Sequence, residues 1–168
     1  MLARLAYACR LLTRIVAGLL QVSLVAAVLV MLACIVAQVV MRYVVGQSLS
    51  WSEELAILMF AWATLGGLAF GVREGFHVRL DILLETLAPA ARRQAERAIE
   101  ALTAFLGAYL AWSGVRFLDF TAGTVSAAIG YPIEIMNVLA PIAGVLICLF
   151  AAERLLIGPA QPAADRPS

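Results

Sequence analysis

Four long stretches of this sequence have interiors without any charged residue, and they restrict the folds that the chain can adopt. Hydrophobic residues make up 64% of the chain and charged residues 14%, whereas soluble domains average about 45–50% and about 25%. A helix of about 20 apolar residues crosses the hydrocarbon core of a membrane. We therefore predict an all-α integral membrane protein, one domain over residues 1–158 followed by a disordered tail at 159–168. The four predicted transmembrane helices cover about residues 15–40, 52–72, 98–118 and 133–152.

The second span has the clearest boundaries. Ser50 with Glu53 three residues later fits a capping box, in which each side chain bonds the backbone N–H of the other residue. Glu53 and Glu54 place negative charge at the positive end of the helix dipole. Gly75 follows the apolar run and predicts the end of the helix. Capping explains only one of the two glutamates, so the second is free to pair with Arg42 or to dock a partner.

Small residues recur every four positions in the second span, at Ala63, Gly67 and Gly71. This spacing lets two membrane helices approach closely. The partner helix is either another span of this chain or a helix of a second protein. In the fourth span, Pro141 removes one backbone hydrogen bond and is expected to kink the helix.

Residues 77–88 are too few to cross a membrane, and their apolar side chains share one helical stripe. They are predicted to form an amphipathic helix in the membrane interface. Pro89 ends it, and the following helix offers two pairs of opposite charge, Arg92 with Glu96 and Arg97 with Glu100. Ten of the twelve arginines fall on one side of the predicted membrane and two on the other, so the positive-inside rule places both termini in the cytoplasm. The two outer arginines are Arg42 and Arg116.

The chemistry that is missing constrains the function. Ion-coupled carriers and pumps usually keep an ionisable group near the membrane midplane, and no predicted span has one. One histidine excludes a haem held by two histidines of this chain, and no nucleophile–base pair can be assembled. The three cysteines are expected to be buried hydrophobes, and scattered arginines without lysine predict no nucleic-acid partner. We predict neither catalysis nor a metal or cofactor. Polar residues deep in the predicted spans are expected to form hydrogen bonds between helices more often than to bind substrate. They are Gln21, Ser23, Gln38, Thr64, Thr103, Ser113 and Asn137.

Two further residues have an ordinary and a functional interpretation. His77 lies among charges where the second span ends, and it binds either a carboxylate or lipid headgroup, or a partner subunit. Trp51 is an interfacial anchor or a binding residue, and the anchor role is the commoner one.

These residues also form a recognisable pattern. Residues 50–56 read Ser-Trp-Ser-Glu-Glu-Leu-Ala, and the span ends in Gly66-Gly67-x-x-Phe70-Gly71-x-Arg73-Glu74-x-x-His77-Val78-x-x-Asp81. With Tyr131-Pro132 and Ala140-Pro141 in the fourth span, the chain resembles the small membrane (Q-type) subunit of TRAP transporters. These are tripartite ATP-independent periplasmic carriers of bacteria and archaea, and the resemblance covers residues 15–157.

The resemblance implies a scaffold in the bacterial inner membrane. The small subunit binds a large membrane subunit, which holds the substrate and sodium sites and moves as an elevator. A periplasmic substrate-binding protein delivers an organic acid such as a dicarboxylate or a sugar acid. Since the chain stops at Ser168, we expect the large subunit to be encoded separately. The motif residues carried over as a partner or scaffold signature are Ser50, Trp51, Glu53, Glu54, Arg73, Glu74, His77 and Asp81.

Two other functions fit four spans. A small homo-oligomeric exporter has the same number of helices, but its mechanism needs a membrane-embedded carboxylate that the first span lacks. A membrane anchor subunit of a redox enzyme is a second alternative, which the single histidine disfavours.

Overall fold

The computed structural model describes residues 2–75 and 89–157, and side chains within 11–75 and 91–155. The predicted interfacial helix at 77–88 and the predicted tail at 159–168 lie outside the described residues. The described chain is helical, with an isolated bridge between Val125 and Pro132. Its helices are α1 (Leu2–Val40), α2 (Ser50–Glu74), α3 (Pro89–Thr121), α4 (Glu134–Asn137) and α5 (Leu139–Ile157), with a π-helical turn at Met41–Val45.

Four helical segments among the described residues are long and apolar enough to cross a membrane, which confirms the four-span, all-α prediction. They are Leu11–Val45, Ser50–Glu74, Ala91–Thr121 and Glu134–Leu155. The first is longer than predicted, because α1 begins at Leu2 and continues into the π-helical turn. At a rise of about 1.5 Å per residue, α1 exceeds a hydrocarbon core of about 30 Å. One end of α1 therefore projects beyond that core.

The ends of α2 combine one confirmed prediction with one wrong one. Gly75 ends the helix in the left-handed conformation at φ 76°, and its N–H bonds the carbonyls of Gly71 and Val72. The capping box is wrong, because Ser50 is already helical and Leu49 is the N-cap, without a side-chain hydrogen bond. The Ser52 hydroxyl instead donates to the Leu49 carbonyl at 2.8 Å. Glu53 lies in the first turn, where its charge faces the helix dipole as predicted.

α5 is the central helix of the described bundle. It packs against α3 on one side and α2 on the other, and α2 packs against α1. The buried core lies where α1, α2 and α5 meet. Its members are Ala17, Leu20, Ala69, Val72, Ile147, Phe150 and Ala151.

The contact between α3 and α5 is made by backbone against backbone. A Cβ atom on Gly144 would lie 2.7 Å from the Gly107 carbonyl oxygen and 2.9 Å from the Ala111 Cα. A Cβ on Gly114 would lie 2.6 Å from the Pro141 ring. Glycines on both helices thus permit an approach that larger residues would prevent.

The fourth span is interrupted at Val138, between α4 and α5. Pro141 lies three residues further on, in the first turn of α5. Its nitrogen has no proton to donate to the Asn137 carbonyl, and its ring crowds that carbonyl, which accounts for a break at this point. The break positions the Asn137 side chain, 8% exposed, to donate from Nδ2 to the Thr121 hydroxyl at 2.8 Å.

We expect Gly144→Val to lower the free energy of unfolding by about 1–3 kcal/mol, because the new side chain overpacks the α3–α5 contact. Unfolding in detergent, followed by tryptophan fluorescence, measures the change. Gly18→Val is the matched control, since no described atom lies within 4 Å of its Cβ position. Equal stability losses in the two variants would contradict the packing role of Gly144.

Candidate functional site

The described charged side chains collect toward the two ends of the bundle, and the helix interiors between them carry none. One group lies where α2 begins, and we name it the Glu54 cluster: Glu54, Thr121, Ser126, Glu134 and Asn137. The other lies where α2 ends, and we name it the Arg154 cluster: Arg154, Glu100 and the last turn of α2. These clusters are the candidate functional sites.

The Glu54 carboxylate binds the chain that connects α3 to α4. It accepts hydrogen bonds from the Ser126 hydroxyl at 2.7 Å, the Ala128 N–H at 2.8 Å and the Ile129 N–H at 3.1 Å. The Ser126 hydroxyl in turn accepts the Gly130 N–H at 3.1 Å. One carboxylate on α2 therefore binds three residues of this connection directly, and the Ser126 hydroxyl extends the contact to Gly130.

That connection is a hairpin, which we define as residues 124–133. The Ser126 N–H donates to the Tyr131 carbonyl at 2.8 Å, and the Ile133 N–H donates to the Thr124 carbonyl at 3.0 Å. Gly130 permits the turn, because its φ of 75° is one that other residues rarely adopt.

A second carboxylate supports the base of the hairpin. Glu134 accepts the Gly123 N–H at 2.7 Å, and Asn137 donates to Thr121 beside it. Thr121 ends α3, and Glu134 and Asn137 form the ends of α4. These bonds join the two chain segments that flank the hairpin at its base, while Glu54 ties the hairpin itself to α2.

The Arg154 cluster joins three helices. Arg154 of α5 donates from Nε to Glu100 of α3 at 2.5 Å, and the two side chains are 11% and 13% exposed. From Nη1 it approaches the Val72 and Arg73 carbonyls of α2 at 3.4 and 3.3 Å. These carbonyls belong to the last turn of a helix, where a cation is stabilised by the dipole. Gly75 leaves the necessary space, since a Cβ there would lie 2.6 Å from Arg154 Nη1.

The predicted signature residues divide between the two ends. Ser50, Trp51 and Glu53 are exposed beside Glu54. Glu53 and Gln38 lie at one end of an apolar cleft of about 290 Å³ between α1 and α2. At the opposite end of the bundle, where α2 stops, Arg73 pairs with Glu74 at 3.5 Å. His77 and Asp81 lie outside the described residues.

The small-residue stripe of α2 is shifted by one position from the close contact inside the chain. Gly66 is buried, and a Cβ there would lie 2.8 Å from the Leu24 side chain of α1. At Gly67 no described atom lies within 4 Å of the Cβ position. Ala63 and Gly71 are partly buried. The structure therefore gives Gly67 no packing partner within the described chain, and its pairing with a second protein stays a prediction.

Several smaller predictions can be compared with the described contacts. Trp62 donates to the Ser23 hydroxyl at 3.2 Å, so Ser23 bonds between helices, whereas Thr64 and Thr103 bond carbonyls of their own helices. Cys34 is buried and Cys148 partly buried, both as free thiols.

The predicted charge pairs are half right. Arg92 bonds Glu96 at 2.9 Å as expected. The pairing of Arg97 with Glu100 is wrong, because Glu100 bonds Arg154. The suggested ion pair between Glu54 and Arg42 does not form among the described residues, because the Glu54 carboxylate binds the hairpin instead. In the described ranges, no group of three acidic, histidine or cysteine residues is arranged to hold a metal ion.

Comparison with known proteins identifies the family. Residues 31–158 match the family model described as the DctQ component of tripartite ATP-independent periplasmic transporters. The chain belongs to the DctQ family. The matched range contains both the Glu54 cluster and the Arg154 cluster, so the two sites lie within the part of the chain that defines membership.

Three DctQ-family relatives are similar to parts of the chain. It is 41% identical over 58 residues to the C4-dicarboxylate TRAP transporter small permease protein DctQ of Vibrio cholerae, covering 34% of this chain and 25% of that one. It is 29% identical over 117 residues to the ectoine TRAP transporter small permease protein TeaB of Halomonas elongata, covering 68% and 61%. It is 32% identical over 106 residues to DctQ of Rhodobacter capsulatus, a C4-dicarboxylate small permease protein, covering 61% and 46%. The chain thus spans between 25% and 61% of the relatives' lengths.

Removing one partner of the Arg154–Glu100 pair leaves the other charge buried, and we expect a loss of about 3–5 kcal/mol for Arg154→Met or Glu100→Met. The double variant Arg154→Met/Glu100→Met should recover part of that loss, because no unpaired charge remains. A double-mutant cycle on unfolding in detergent gives the coupling energy. Arg92→Met, which breaks a solvent-exposed pair, is the control and should change stability by less than about 1 kcal/mol. A coupling energy near zero between Arg154 and Glu100 would contradict a stabilising role for this ion pair.

Proposed function

We propose that this DctQ-family chain is the small permease component of a TRAP transporter in the bacterial inner membrane. It forms a complex with a large membrane subunit and receives substrate from a periplasmic substrate-binding protein. Transport is coupled to sodium, and the substrate is an organic acid such as a dicarboxylate or a sugar acid. The relatives named for C4-dicarboxylate and for ectoine transport support a component that is shared across different substrates.

The observation that carries this proposal is the uncharged interior of the bundle. The described charged side chains lie toward the ends of the spans, and the polar side chains of Ser23, Asn137 and Arg154 are bonded within the chain. Moving an ion or an organic anion through a membrane requires polar groups at depth. This chain therefore supports a partner that provides them.

The proposed orientation puts the Arg154 cluster in the cytoplasm and the Glu54 cluster in the periplasm. The arginine distribution supports it, because the sequence prediction assigns ten of the twelve arginines to the side of Arg154. The outer signature residues, Ser50 to Glu54, with the hairpin, then lie nearest the soluble receptor. The inner ones, Arg73 to Asp81, lie against lipid or the large subunit.

Reconstitution tests the division of labour. Purified alone into liposomes, the chain should give no solute flux under a sodium or proton gradient. Combined with the large permease subunit and the receptor, it should support sodium-driven uptake that is lost when any one component is omitted. Flux through the chain alone would favour the small exporter instead, and a haem absorbance band in the purified complex would favour the redox anchor.

Gly67→Leu tests whether the open face of α2 binds the large subunit. We expect co-purification and uptake to fall at least about tenfold, because a leucine prevents close helix approach and a tenfold change needs only about 1.4 kcal/mol. Stability of the isolated chain should hardly change, since the Gly67 Cβ position meets no described atom within 4 Å. Gly18→Leu is the matched control on α1, where the Cβ position is equally open. Unchanged assembly in Gly67→Leu would rule this contact out.

A further inference from the structure

We propose that Glu54 is a positioning residue for receptor docking. Its carboxylate holds the tip of the hairpin, which we define as residues 126–129, in one orientation. Val125 and Ile129 then form an apolar docking surface for the soluble receptor. This inference rests on the proposed function, because it assigns part of the receptor contact to named residues.

The hydrogen bonds of Glu54 fix the orientation of the hairpin rather than its fold. The hairpin is closed without Glu54, by the bonds between Ser126 and Tyr131 and between Thr124 and Ile133. Glu54 adds three bonds to residues 126–129 alone, and these cross 72 to 75 positions of sequence to reach α2. A carboxylate that accepts several charge-assisted hydrogen bonds is a strong and directional attachment. The tip is therefore fastened to the helix that leads into the membrane.

The chemistry of the tip fits a protein partner. Residues 121–133 contain no charged side chain, and Val125 and Ile129 are 61% and 52% exposed. The irregular backbone of the hairpin excludes the hydrocarbon as its surroundings, because lipid would leave backbone groups unsatisfied. Outside the hydrocarbon, an uncharged hairpin that exposes Val125 and Ile129 fits contact with a protein, because the cores of protein interfaces are depleted in charged residues. The small Ala127 and Ala128 between them let a partner's backbone approach.

A rigid tip also explains why a carboxylate is used for this purpose. Ordering a mobile loop on binding weakens the complex by the conformational entropy that is lost. The Glu54 bonds order the tip before the receptor arrives. The Ser126 hydroxyl extends this effect, because it donates to Glu54 while it accepts the Gly130 N–H from the other side of the turn.

The test uses the assembled small and large subunits in nanodiscs, with the purified receptor titrated against them. Glu54→Gln should weaken receptor binding at least about tenfold in Kd, because the amide group turns a donor toward backbone donors and a charge-assisted bond exceeds the 1.4 kcal/mol of one tenfold step. In uptake assays the receptor concentration at half-maximal rate should rise, while the maximal rate stays within about twofold, less than 0.5 kcal/mol. Asp119→Asn is the matched control and should leave both values unchanged, because Asp119 is an exposed carboxylate at the same end of the bundle that lies on α3, outside the signature and the hairpin.

Ile129→Ser tests the surface without removing any described hydrogen bond. It should weaken receptor binding while thermal stability and co-purification of the large subunit stay as in the unaltered complex. Phe120→Ser is its control, because Phe120 is 86% exposed but lies on α3, outside the hairpin.

The outcomes separate this inference from the function on which it rests. Absence of receptor binding by the unaltered complex would overturn the proposed function itself. Unaltered binding by Glu54→Gln and Ile129→Ser, in a complex that does bind the receptor, would overturn only the docking role. Loss of the large subunit from the Ile129→Ser complex would assign the surface to that subunit, and this result would also overturn the inference.

Discussion

The lack of hydrogen-bonding partners in hydrocarbon governs the arrangement of this chain. Every backbone group at membrane depth has to be satisfied within a helix, so irregular backbone is confined to the ends of the bundle. The two polar clusters lie at those ends and bind the groups that helices leave open. Arg154 approaches the final carbonyls of α2, and Glu54 accepts N–H groups of the hairpin. Each charge therefore has a structural task that could not be moved to the middle of the bundle.

Between the ends, packing depends on small residues, because burial of apolar surface from lipid provides little driving force. Gly107, Gly114 and Gly144 let α3 and α5 touch through their backbones, and Gly66 admits the Leu24 side chain from α1. Contact at this distance gains dispersion energy over many atoms. It also makes the bundle resistant to sliding, since a shift of one helix would press side chains into the opposite backbone. The glycine contacts therefore hold α3 and α5 in one register.

The fold was largely predictable from the sequence, because hydrophobic runs and charged ends specify membrane helices directly. The stop at Gly75 and the Arg92–Glu96 pair followed from local rules that hold within one helix. The Arg154–Glu100 pair and the Glu54–Ser126 bond did not, since they join residues 54 and 72 positions apart. Local pairing rules assigned Glu100 to Arg97 and offered Arg42 to Glu54, and tertiary contact decided otherwise. The predicted small-residue stripe had the correct character but missed Gly66 by one position, because periodicity alone does not say which side of a helix meets its neighbour.

The two clusters differ in what they hold, and the difference bears on function. Arg154 joins three helices through a nearly buried ion pair, so it fixes the helices relative to one another. Glu54 joins a helix to a hairpin whose apolar side chains remain exposed, so it fixes a surface relative to the bundle. The second arrangement therefore leaves the exposed apolar side chains of a fixed hairpin available for contact with a partner. Because Glu54 orders the hairpin in advance, a partner would not have to order it on binding. That difference is the physical reason for assigning the proposed receptor contact to the Glu54 end.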